Sequence, residues 1–138
     1  MIKANSETMQ SIFVMLKNPD EEIKNPIYAR VKRTKFFTTA STQYEDGFVA
    51  STSGYDLIIV QFDIFGKSQV SRYPLMSLKK VKVTPFIVGT CTIKLTFLIE
   101  GKKKKVGFAA AKKVYTTDLD SQEENLEGLI QLFERFAE

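Results

Sequence analysis

The chain has 138 residues, 43% of them hydrophobic, with a net charge of +4, one cysteine and no histidine. That length makes one domain, able to bury about two-thirds of its unfolded surface. The composition excludes Ser-His-Asp and Cys-His nucleophiles, histidine metal sites, an internal disulfide and a membrane-spanning apolar run.

In chain order, Met1–Asn5 lacks the pattern of a signal peptide. Ser6 is placed to cap a first helix, in which Met9, Ile12, Phe13 and Leu16 recur at helical spacing. A second helical turn is expected from Asn18, with Pro19 at its first position and Glu21 completing a capping box. Asn25-Pro26 ends it, so residues 1–26 read as a helical N-terminal arm and 27–138 as the domain proper.

Residues 27–39 are rich in β-formers, with Arg30, Lys32, Arg33 and Lys35 interleaved. Asp46-Gly47 is a hairpin-turn signal. Phe48 to Ser51 reads as a short strand, Ser53-Gly54 as a turn, and Leu57 to Phe62 as a near-continuous apolar strand. Phe65-Gly66-Lys67 turns the chain into a strand from Gln69 to Tyr73, where Pro74 implies an edge or a bend. Leu78 to Val83 is the next strand, and Pro85 to Gly89 an apolar connection. Cys91, Ile93, Leu95, Phe97 and Ile99 then alternate with Thr90, Thr92, Lys94, Thr96 and Glu100. That is a strand with one face in a core and one in water. On this pattern Cys91 is an inert, buried thiol. Glu100-Gly101 turns it into a second strand that resumes at Val106 and Phe108. Residues 109–120 read as a loop. Ser121-x-x-Glu124 is a capping box, and Leu126, Leu129, Ile130, Phe133 and Phe136 form one apolar helical stripe. Gly128, inside that helix, implies close packing.

Charge is uneven along the chain. Residues 118–138 carry seven acids against Arg135 alone, a net of −6, so residues 1–117 carry +10. The expected arrangement is a set of solvated lysine-rich strand faces, partly neutralised by the acidic helix. No Asp-rich calcium loop and no glycine-rich phosphate loop occurs. No cofactor, no metal and no catalytic residue is expected.

Two stretches carry a resemblance. One is Gly47-Phe48-Val49-Ala50-Ser51-Thr52-Ser53 leading through Leu57-Ile58-Ile59-Val60-Gln61-Phe62. The other is Phe65-Gly66-Lys67, Tyr73-Pro74-Leu75-Met76-Ser77-Leu78-Lys79-Lys80-Val81 and the Gly89-Thr90 turn. They resemble the bacterial pleckstrin-homology-like (bacterial PH) domains over residues 27–137, with Thr52 to Asp56 standing where that family has an arginine turn. The resemblance implies a mainly β fold with α: a PH-like, seven-stranded bent barrel or sandwich, capped by a C-terminal helix. Eukaryotic members bind inositol phospholipids through bases flanking the loop between their first two strands. Here that loop is expected at residues 40–46, which hold Glu45 and Asp46 and no base, so the lipid site is not carried over.

Three functions remain open, in descending order. The first is a non-enzymatic, cytoplasmic interaction module that binds protein partners or assembles with itself as a homo-oligomer. The second is peripheral binding to an anionic membrane surface, with Lys79, Lys80 and Lys82 ringing an apolar tip of Phe86, Ile87 and Val88. Lys102, Lys103, Lys104 and Lys105 are further candidates for anion or membrane contact. The third is nucleic-acid binding by a basic small barrel, with Tyr28 and Phe36 sharing parity with Arg30 and Lys32.

Overall fold

The computed structural model describes residues 5–32, 44–63, 65–85, 89–112 and 121–137. Helix α1 spans Ser6–Leu16. Seven strands follow: β1 Ile23–Lys32, β2 Tyr44–Thr52, β3 Asp56–Phe62, β4 Ser68–Pro74, β5 Leu78–Pro85, β6 Thr90–Ile99 and β7 Lys102–Ala111. A 3-10 turn, Leu75–Ser77, links β4 to β5, and helix α2 spans Gln122–Phe136. The strands form one antiparallel sheet in the order β4-β3-β2-β1-β7-β6-β5. This is a PH-like bent sheet, with β1 to β4 on one side and β5 to β7 on the other.

The main core lies inside the bend. Ile27, Ala29 and Val31 of β1, Val49 of β2, Leu57 and Ile59 of β3, and Ile93, Leu95, Phe97 and Phe108 of β6 and β7 meet there. Leu126, Leu129 and Phe133 of α2 close it, with Phe133 set edge-on to Phe108 at 6.4 Å between ring centres. The apolar stripe read along this helix is therefore the face it buries. Among the described residues, β1 pairs with β7 only at Arg30–Ala109 and Val31–Phe108. Next to that pairing, α2 serves as a substitute strand edge. The buried Gln122 side chain accepts from the Tyr28 N–H at 3.0 Å and donates to the Tyr28 and Ala111 carbonyls at 2.9 and 3.1 Å. Asn125 donates to the Pro26 carbonyl at 2.9 Å.

A second core lies on the outer face of β1 to β3. Phe48, Ala50, Ile58, Val60 and Phe62 point away from the bend and are covered by Met9 and Phe13 of α1. This explains the unbroken apolar run from Leu57 to Val60: alternate residues enter different cores. Arg72 of β4 locks α1 in place. It forms a two-pronged pair with Glu21 at 2.7 and 2.9 Å, reaches Asp56 at 3.0 Å and donates to the Leu16 carbonyl at 3.3 Å. The Arg72 hydrogen bonds hold Glu21 down to a pKa of about 2, against an opposing push from burial.

Several local expectations are corrected. The cap of α1 is Asn5, whose side-chain oxygen accepts from the Thr8 N–H at 2.8 Å; the chain is still extended there, as a cap requires. Asn18 and Glu21 do bond reciprocally, but the turn stops at once and β1 begins at Ile23, inside the expected arm. Asp46-Gly47 lies within β2, not at a hairpin. A Cβ on Gly47 would collide with the Val60 carbonyl and come within 2.9 Å of Val31, so this glycine serves close strand approach. Ser121 has a left-handed backbone (φ 60) and makes no side-chain cap, because Gln122 and Asn125 anchor the start of α2. Cys91 is only half-buried, and that burial pushes its thiol pKa up. Glu100 and Gly101 do form the expected tight turn, both with positive φ. A Cβ on Gly128 would fall 2.6 Å from Asn25, so the close packing expected there is present.

Candidate functional site, a lysine-lined concave face

The outer face of β5 to β7 is built differently from that of β1 to β3. Strand alternation sends Ile93, Leu95 and Phe97 inward and leaves Thr92, Lys94 and Thr96 outward. The register places Lys82 of β5 opposite Lys94 of β6, which is opposite Gly107 of β7. One step along, Lys80, Thr96 and Lys105 form the next row. Lys32 of β1 enters from the far side, and Tyr44 of β2 completes the rim.

Together these residues line an open concavity of about 540 Å³ with five lysines and no carboxylate. The side chain missing at Gly107 keeps the floor low. A Cβ there would sit 3.7 Å from Lys32, in ordinary contact, so nothing in the packing excludes a larger residue. Two lysines directly opposite each other, as at Lys82 and Lys94, repel and weaken a sheet. Among the described residues, none of Lys32, Lys80, Lys82, Lys94 or Lys105 is in an ion pair. A face serving stability alone would alternate signs here. Beyond Lys32, Asp46 accepts from the Tyr28 hydroxyl at 2.7 Å and pairs with Arg30 at 3.4 Å. Burial, with that carboxylate second, pushes Tyr28 up to about 12.

Of the residues singled out from the sequence, Lys80, Lys82 and Lys105 come together in this concavity. Lys79 sits at a register shift and stays outside it. Lys102, Lys103 and Lys104 are exposed towards the β6–β7 turn, beyond the lining. Phe86, Ile87 and Val88 lie outside the described residues, as does Phe36. Glu45 and Asp46 stand on β2 rather than in a loop, which corrects the expected composition of the β1–β2 connection. From the sequence Lys32 is named as a functional residue only in the nucleic-acid reading, and Tyr44, Thr92, Lys94, Thr96 and Gly107 are not singled out as site residues. The signal for three of them was the Thr92-x-Lys94-x-Thr96 alternation; Lys32, Tyr44 and Gly107 needed the register.

Among the described residues there is no cluster of three His, Cys, Asp or Glu side chains able to hold a metal. Nor is any described helix long and apolar enough to cross a membrane. No protein-family model matches the chain, and no curated protein matches it. Among solved structures it is similar to the hSac2 domain from human phosphoinositide phosphatase Sac2. The TM-score is 0.61 at 14% identity, over 95% of this chain and 79% of that one. At this identity the likeness shows the fold, a PH-like bent sheet closed by a C-terminal helix.

Proposed function

We propose that the chain is a non-enzymatic PH-like interaction module, of the bacterial kind, that binds an acidic protein surface through its lysine-lined face. One observation carries this reading: among the described residues, five lysines from β1, β5, β6 and β7 converge on a single concavity and no carboxylate lines it. Such a face raises the local concentration of an anionic partner and speeds its encounter. A non-catalytic role agrees with a chain that has no histidine and only a half-buried thiol whose pKa is raised. The lone cysteine suits the cytoplasm. The test is titration of the chain with an acidic polypeptide such as polyglutamate, followed by calorimetry. Binding should be saturable at low salt and fall at least about tenfold in Lys82→Glu/Lys94→Glu. Absence of binding at low salt would end this proposal.

A second reading, peripheral attachment to an anionic membrane, is favoured by Leu98. It is 41% exposed and stands opposite Lys103, beside the concavity. Sedimentation with phosphatidylserine vesicles, lost in Leu98→Asp and retained for neutral vesicles in neither form, would move the assignment to the membrane. Nucleic acid ranks last, since among the described residues the lining offers Tyr44 as its one aromatic side chain for base stacking.

A further inference from the structure

Helix α2 carries a second unpaired charge surface. Its buried stripe is Leu126, Leu129 and Phe133; the opposite stripe is Glu124, Glu127, Gln131 and Glu134, all exposed. Among the described residues none of these three glutamates pairs with a base, so within them the expected neutralisation of the lysine faces by this helix is not made through direct ion pairs. The protein thus displays a lysine concavity and an acidic helical ridge, both open.

The two surfaces match in size. Glu124 to Glu134 spans ten residues, about 15 Å of helix. The outward positions of β6 in the lining, Thr92 to Thr96, span about 13 Å, and lysine side chains lengthen the face further. The face is about 10 Å wide across β5, β6 and β7, the diameter of a helix. Lys80 and Lys82 of β5 would flank the ridge on one side and Lys105 of β7 on the other, with Lys94 of β6 beneath it and Gly107 leaving room beside Lys94.

We propose that the lysine concavity takes the acidic ridge of α2 from a second copy of this chain. This deepens the functional reading above and rests on it. The contact joins two different patches. It closes reciprocally into a pair or runs on into a chain of copies. Its attraction is between exposed charges and is therefore screened by salt.

The test is analytical ultracentrifugation of the full chain up to about 1 mM. At about 0.05 M salt the mass should rise with concentration, and association should weaken about tenfold by about 0.5 M salt. Lys82→Glu/Lys94→Glu and Glu127→Lys/Glu134→Lys should each be monomeric. An equimolar mixture of the two should associate again, because one variant keeps the ridge and the other keeps the concavity. Circular dichroism should show both variants folded, since all four positions are exposed. A wild-type chain that stays monomeric at low salt overturns the inference, as does association unchanged by the helix substitutions. If the monomeric chain still binds polyglutamate through Lys82 and Lys94, the functional proposal stands and only the second copy is wrong as the occupant. If it does neither, both fall.

Discussion

The two halves of the sheet share one backbone plan and treat their outer faces in opposite ways. On β2 and β3 the outward residues are Phe48, Ala50, Ile58, Val60 and Phe62, and α1 covers them. On β5 to β7 the outward residues include Lys80, Lys82, Thr92, Lys94, Thr96 and Lys105, and no element covers them among the described residues. In the first half β2 and β3 are buried on both faces, so Phe48 to Ala50 and Leu57 to Val60 read as continuous apolar runs. The second is buried on one face and reads as alternation. The difference locates the candidate site, because the uncovered face of β5 to β7 supplies four of its five described lysines, and Lys32 of β1 adds the fifth.

The largest effects should come from the doubly buried half and its plug. Phe133→Ala, in the main core, and Phe13→Ala, in the outer core, should each cost about 3–5 kcal/mol in urea unfolding. A loss under about 1 kcal/mol at Phe13 would show that α1 is a loose cover and would erase the contrast between the halves.

Gln122→Ala comes next. It removes hydrogen bonds to Tyr28 and Ala111 and leaves buried backbone groups unsatisfied, at about 2–3 kcal/mol. Hydrogen exchange of the Tyr28 amide should rise with it. An unchanged amide would mean that α2 is held by its apolar stripe alone.

The Arg72 clamp should show in the pH dependence. The Glu21 pKa is depressed from 4.5 to about 2 in the folded protein, so its stabilisation is complete above about pH 5. It disappears as pH falls from there through about 2, a loss on the order of 2 kcal/mol for a pair 11% and 28% exposed. Glu21→Gln should flatten that part of the acid-unfolding curve; a curve identical to wild type would remove Glu21 from the clamp.

Smallest of all should be Lys94→Thr. It relieves the repulsion with Lys82, so stability should hold or rise by up to about 0.5 kcal/mol while polyglutamate binding weakens. A clear loss of stability would make Lys94 a structural residue and dissolve the candidate site.

Much of the strand and helix pattern was legible because it follows from local spacing. The period of two from Thr90 to Ile99, the tight turn at Glu100-Gly101 and the stripe from Leu126 to Phe136 depend on neighbours in the chain, and all three are found in the structure. Local signals misled where tertiary packing overrode them. Asp46-Gly47 has turn chemistry, but the Gly47 position is crowded by Val31 and Val60 from the strands on either side. Ser121 has a capping sequence, but the start of α2 is set by bonds from Gln122 and Asn125 to strand β1, nearly a hundred residues away. The site depended on the same long-range information. Lys32, Lys82, Lys94 and Lys105 are scattered over four strands, and each alone is an ordinary solvated lysine. By itself the sequence marked the lysines of these strands as solvated charges. Only the pairing of β5, β6, β7 and β1 decided which of those charges stand side by side, because register is a relation between strands that no single strand carries.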